Sequence, residues 1–290
     1  MNSNDVELDN FYSTAFKAIY YPRESIPKDH LPYGLISDHS KYTNQQAAIK
    51  KDEWALEIYE DCLKYLNDDE KTDPESWNDD FVLFTNLQIA FYNKADLIRE
   101  EEEFDKLVNY TSKHIRNLRS YVARNAHLFL ECLTYCLDDD KLSNLCYKII
   151  TNLLACTGSE KSIYREPSKK NLKNLTNKSA KLFNQEILWI LLEHTQNKNK
   201  RISSSAGDST LEYFTNVSQK DLEVLDMPKF ANYVESSLNS GNIDVKKSIK
   251  QLIIKLPKAL SELKLKEFIK ESENKKATRK VLKKEHSPNL

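Results

Sequence analysis

From residue 45 onward, apolar residues recur at steps of three and four. That period places them on one face of an α-helix. Trp54, Ile58, Cys62 and Tyr65 form the first such stripe, and it ends in the polar run from residue 67 to 76. A second helix is predicted to begin near Ser76, with Asp79 and Asp80 favourably placed in its first turn and Phe81, Phe84, Leu87 and Phe91 on its apolar face. Further stripes cover Phe104 to Ile115, Val122 to Leu137 and Leu142 to Leu154. After a loop around Arg165 to Lys170 they continue over Leu182 to Leu192, Thr210 to Val217, Met227 to Leu238, Val245 to Leu256 and Leu260 to Ile269. About ten to twelve helices, paired in units of roughly 35 to 45 residues, is the pattern of stacked helical repeats. The expected fold is therefore an all-α solenoid of the HEAT type, built from paired antiparallel helices.

Three segments follow. Residues 1–45 hold Pro22, Pro27, Pro32 and Gly34 among aromatic residues. They read as one short helix, Phe11 to Tyr20, followed by irregular chain that packs on or leads into the domain. Residues 46–269 form the solenoid. Residues 270–290 carry a net charge of +4 and few large apolar side chains, which predicts a basic, disordered tail or frayed helix.

Composition supports helices and argues against several kinds of chemistry. The chain has only four Gly and eight Pro, too few for a turn-rich β-sandwich. They also leave little room for a phosphate-binding glycine loop, and no nucleophile elbow, HExxH or dinucleotide fingerprint is present. The expectation is no catalytic residue and no cofactor. The five cysteines are odd in number and sit within apolar runs, which reads as reduced core thiols. Cys132 and Cys136 lie four apart, but nearby His127 shares their face poorly, so no metal is expected. The first residues lack the pattern of a secretory leader, and no run of eighteen apolar residues occurs. No membrane partner is expected.

Charge divides the chain. Residues 1–110 hold 11 basic and 24 acidic side chains, whereas the remainder holds 32 and 20. A basic half of this size suits an acidic partner, or else a merely solvated face. Nucleic acid is disfavoured because the cations are not interleaved with exposed aromatics and no recognition motif is present.

Three stretches pair a short polar, basic turn with an amphipathic helix. They are residues 115–133 (IRNLRSYVARNAHLFLECL), 197–214 (NKNKRISSSAGDSTLEYF) and 240–257 (SGNIDVKKSIKQLIIKLP). In stacked helix pairs such turns fall along one edge, where their side chains form a binding ridge.

LRSYVARNAHLFLECL resembles the turn and second helix of a repeat in the TOG domains of the CLASP family. DEWALEIYEDCLKYL is similar to that family's opening repeat, LTNKSAKLFNQEILWILLEHT to its third, NKNKRISSSAGDSTLEYF to its fourth and NIDVKKSIKQLIIKLP to its last. The likeness runs over roughly residues 50 to 260. It implies a tubulin- or microtubule-binding module of the cytoplasm, cytoskeleton or spindle that regulates microtubule dynamics or anchors a complex there. The alternative is a HEAT scaffold for another protein partner in a larger kinetochore, chromatin or transport assembly, with the nucleus as a further location.

By the same resemblance, the contact residues are Trp54 in the first turn and Arg119, Ser120 and Arg124 in the second. Asn177 and Lys178 belong to the third turn, Lys198, Lys200 and Arg201 to the fourth, and Lys246, Lys247 and Lys250 to the last. The sequence departs from the family at Ala55, Leu56 and Glu57 after Trp54, and at Ser203 to Ser205 in the fourth turn, where basic residues are usual. Trp54 also falls on its own helix's apolar stripe, which suits a core position equally well. Arg119 and Arg124 could instead pair with a neighbouring repeat. Trp189, in EILWILLEHT, reads as core.

Overall fold

A computed structural model describes residues 45–67, 77–94 and 96–285. These residues form twelve α-helices and one short 3-10 helix. In chain order the helices are α1 (Gln45–Leu66), α2 (Trp77–Asn93), α3 (Glu101–His114), α4 (Ser120–Cys136), α5 (Asp139–Thr157) and α6 (Ser162–Ser179). They continue with α7 (Gln185–His194), α8 (Lys200–Asn216), the 3-10 helix Asp221–Val224, α9 (Met227–Asn239), α10 (Ile243–Ala259), α11 (Glu262–Ser272) and α12 (Lys276–Glu285). The short helix expected over Phe11 to Tyr20 lies outside the described residues.

The chain divides into two compact units, Met1–Leu137 and Asp138–Leu290. In the first, α2 packs on α1 and α4. Phe84 and Phe91 meet Phe129 across that contact at ring-centroid distances of 6.0 and 5.7 Å. A buried amide fixes the register. Asn125 Nδ2 donates to Phe81 O and Thr85 Oγ1, both at 2.7 Å, and its Oδ1 accepts from Gln88 Nε2 at 2.7 Å. With no water to compete, such bonds hold only when all members stay in place.

The second unit has two layers. The second helices of successive pairs, α6, α8 and α10, stack on one another, and the first helices α5, α7, α9 and α11 form the other layer. Phe214 of one layer stacks on Phe230 of the other at 5.3 Å, and Phe230 meets Phe268 along its own layer at 5.7 Å. Trp189 is buried and stacks on Tyr233 at 5.8 Å. In both units, bonds between neighbouring repeats join residues about forty apart, such as Gln88 to Asn125, Lys181 to Asp139 and Ser204 to Asp244. A constant separation is what a stacked repeat requires. The five cysteines are free thiols, four of them buried.

Helix starts follow local chemistry. Asp138, Asn184, Asn199, Asp226, Asn242 and Ser261 each cap a helix by accepting an N–H of its first turn, and Pro228 sits at the start of α9.

Three sequence expectations need correction. The loop expected around Arg165 to Lys170 is helical, part of α6. Pro167 deletes one backbone bond near the helix start, whereas the buried stripe of Ser168, Asn171, Leu172 and Leu175 holds the helix together. Ser203 to Ser205 belong to α8 and not to a turn. Serine disfavours helix interiors, but here a small surface is needed. A Cβ on Gly207 would stand 3.4 Å from Val245 Cα, so α8 and α10 meet almost backbone to backbone. The tail expected to be disordered or frayed instead carries α12, on which Thr278, Val281 and Leu282 are buried. Glu235 of α9 supplies the missing cap by accepting the N–H groups of Ala277 and Thr278 at 3.1 and 2.8 Å and the Thr278 hydroxyl at 2.8 Å. Sequence reading could not see a cap supplied from 42 residues away.

These contacts make two predictions. Partial burial alone would raise the Glu235 carboxyl, but the hydrogen bonds from Thr278 and Ala277 outweigh it and hold the group below the usual carboxylate range. Glu235→Ala should cost about 1–2 kcal/mol of local stability. Amide exchange over 276–285 should then accelerate while α5 to α8 keep their protection. The second prediction concerns His127, which burial pushes down to about 4 against an opposing hydrogen bond to the Ile115 backbone. Unfolded chain takes up the proton near 6.5 and folded chain does not, so stability is lost as pH falls from 6.5 toward 4, by up to ~3 kcal/mol. Thermal unfolding across that window should show the loss, and His127→Gln should flatten the slope.

Candidate functional site

Four short turns between paired helices, those before α4, α6, α8 and α10, are closed by the same bond. A side-chain oxygen accepts the N–H of the residue two positions on, which is the residue flanking the next helix. In the first unit Asn117 Oδ1 accepts Arg119 N at 2.8 Å. In the second, Ser159 accepts Lys161 N at 3.2 Å, Asn197 accepts Asn199 N at 2.9 Å and Ser240 accepts Asn242 N at 3.2 Å. This is an Asx- or Ser-turn, in which the side chain replaces a backbone partner. The acceptors recur at intervals of 42, 38 and 43 residues. That periodic signal was available in the sequence and would have placed the third turn correctly.

In the second unit three of these turns line up. Asn199 Nδ2 reaches Gly158 O at 3.4 Å. Asn242 Nδ2 donates to Lys200 O at 3.0 Å and to Ser203 Oγ at 2.8 Å. Arg165, from α6, holds the turn before it through the Ser159 and Glu160 carbonyls at 3.2 and 2.9 Å. The result is one continuous edge, residues 158–161, 195–199 and 240–242.

The edge carries cations. Lys198, Lys200, Lys247 and Lys250 are exposed and Lys246 half-buried, and among the described residues none has an ion-pair partner. Arg201 is different. Its guanidinium lies 2.5 Å from Glu160 across the turns and holds that carboxyl below its usual range. Lys250 stands seven residues into α10, about 10 Å along the helix from the turn. Beside the edge, α6 and α8 bound a groove of about 570 Å³ whose rim includes Lys169, Lys200, Arg201 and Asp244 over a floor containing Ser204 and Ser205. Lys169 was missed because its segment was read as loop.

The first unit presents its own turn. Arg119 is exposed, Ser120 and Arg124 are half-buried, and Leu118 at the tip is 95% exposed. Beneath it, His114 Nδ1 meets Asn117 Nδ2 at 2.9 Å and Asp80 Oδ2 at 3.7 Å, and burial lowers the His114 pKa. Burial thus disfavours the charged ring against the opposing pull of Asp80, and the contact with Asn117 braces the turn.

Two predicted positions are elsewhere. Trp54 lies inside α1, twelve residues before that helix ends at Leu66, and not in a turn. Its place on the apolar stripe with Ile58, Cys62 and Tyr65 predicted this helical position, whereas the resemblance had assigned it to the first turn. Asn177 and Lys178 occupy the last turn of α6. Asn177 Oδ1 accepts from Asn216 Nδ2 at the far end of α8, about 25 Å from Lys200. The true turn of that repeat is residues 158–161. Among the described residues no group of three or more His, Cys, Asp or Glu could hold a metal ion, and no helix is long and apolar enough to cross a membrane. What the edge can do chemically is meet an acidic, preformed surface with spaced cations.

No family model matches the chain, and no curated protein matches it. Among solved structures it is similar to Crescerin, which uses a TOG domain array to regulate microtubules in the primary cilium. The TM-score is 0.53 at 11% identity, over 75% of this chain and 90% of that one. At that identity the likeness is one of fold, which is all-α, of helix pairs, and TOG-like without pointing to the CLASP type in particular.

Proposed function

We propose that this chain is a non-catalytic, TOG-like module that binds αβ-tubulin or the microtubule lattice through its turn edge, and so acts at the cytoskeleton. The observation that carries the reading is the alignment of turns 195–199 and 240–242, which brings Lys198, Lys200 and Lys247 to one edge without acidic partners among the described residues. The CLASP-like order of motifs points the same way. Tubulin is acidic, so spaced cations raise the encounter rate and make binding sensitive to salt. Each exposed charge contributes only ~0.5–1 kcal/mol, so the row acts together. In the first unit, Arg119 and Arg124 are the corresponding contacts by resemblance, on a turn whose tip is the exposed Leu118.

Gel filtration of the chain with αβ-tubulin at low salt tests this. The wild type should co-elute and separate as salt rises. Lys198→Glu/Lys200→Glu/Lys247→Glu should weaken binding at least tenfold while leaving the circular dichroism unchanged, and Arg119→Ala/Arg124→Ala should weaken it by a smaller factor. Failure of the wild type to co-elute at low salt would sink the tubulin reading and favour a scaffold for another protein. Binding indifferent to both variants would retain tubulin and reject this edge.

A further inference from the structure

At the opposite edge of the second unit the chemistry reverses. There the chain passes between helix pairs, and large apolar side chains are left in solvent: Tyr147 of α5 is 46% exposed, Leu182 of the α6–α7 connection 40% and Val224 of the 3-10 helix 70%. The three line one open groove of about 570 Å³, with Phe183 half-buried among them and Asp140 and Glu186 at its rim. Neither carboxylate has an ion-pair partner among the described residues, while the nearest lysine of the connection, Lys181, is already joined to Asp139 at 3.4 Å.

The groove is preformed. Tyr213 clamps the connection through its hydroxyl, accepting Asn184 N at 2.9 Å and donating to Asn184 O at 3.1 Å, and its ring lies 6.2 Å from that of Phe183. Asn184 Oδ1 in turn caps α7. Isolated exposed apolar residues are ordinary, but three from three separate elements converging on a fixed groove are not. A preordered apolar floor between unpaired carboxylates favours a ligand that brings one large apolar side chain with cations on either side, because burying the anchor supplies affinity and the charges select the partner.

We infer that this groove docks a short segment of a partner protein in which a Leu, Ile or Phe anchor is flanked by Lys or Arg. The site is separate from the turn edge and does not depend on the tubulin reading. It would let the module hold a second protein while the turns are occupied.

The test uses the full chain and fluorescein-labelled synthetic nonapeptides with a central Leu or Phe flanked by two Lys or Arg on each side. Control peptides carry Gly at the anchor or Glu at the flanks, and binding is followed by fluorescence anisotropy in 0.1 M salt. The anchored basic peptides should bind saturably and both controls at least tenfold more weakly. Leu182→Asp/Val224→Asp and Asp140→Lys/Glu186→Lys should each lose at least tenfold. Lys198→Glu/Lys200→Glu/Lys247→Glu, which disables the turn edge, should bind the peptides no more weakly than the wild type, so the two surfaces fail or succeed separately. No saturable binding by the wild type overturns the proposal, as does equal binding of the Gly peptide, which would be charge attraction alone. Concentration-dependent self-association in light scattering, abolished by the groove variants, would also overturn it by making a second copy the occupant.

Discussion

A helix pair of this kind cannot bury its apolar stripe alone, and everything else follows from how the pairs are made to stack. The controlling interaction is a side-chain oxygen at the start of four of the short turns that accepts the N–H two residues on. It fixes where the second helix begins and which way it points. Once Asn197 and Ser240 have set their turns, Asn199 and Asn242 are placed to reach back to the preceding repeat at Gly158 and Lys200. Local turn chemistry thus becomes long-range register. The same bond at Asn117, braced by His114, appears in the first unit.

Register then determines surface. In the second unit the turns bring Lys198, Lys200 and Lys247 to one edge, and the connections at the other edge bring Tyr147, Leu182 and Val224 together beside Asp140 and Glu186. The two edges differ in chemistry because they differ in construction. Turn residues are selected to cap and must be polar. The longer connections pack their ends, and here they leave apolar side chains uncovered. Small residues in α8 allow both edges to exist on a rigid body, since Gly207 lets α10 approach closely enough for Ser248 to bond Asp208 at 2.6 Å.

Three turns read from their polar, basic chemistry are turns in the structure, whereas two positions assigned to turns by resemblance lie within helices. The stretches beginning at Ile115, Asn197 and Ser240 are turns in the structure, each marked by an Asn or Ser followed by basic residues. Asn177 and Lys178 were chosen from a similar-looking polar string, yet they end a helix and face Asn216 at the other edge. Trp54 was moved out of the helix that its own spacing predicted. In both cases the polar or aromatic character of the residue was read correctly and its edge was not.

By itself the sequence determined the all-α class, the roughly forty-residue period, most helix positions and the basic turns, because these depend on periodicity and capping within a few residues. Only tertiary structure decided the rest. It extended α6 through Pro167 and α8 through its serines, because buried packing outweighed local propensity. It ordered α12 through Glu235, a cap supplied from another repeat. It paired Arg201 with Glu160 and left Lys200 exposed, a distinction no spacing could reveal. It also gathered the apolar groove from three distant segments. Those outcomes depend on which side chains meet across about forty residues of chain, and that is settled only when the repeats stack.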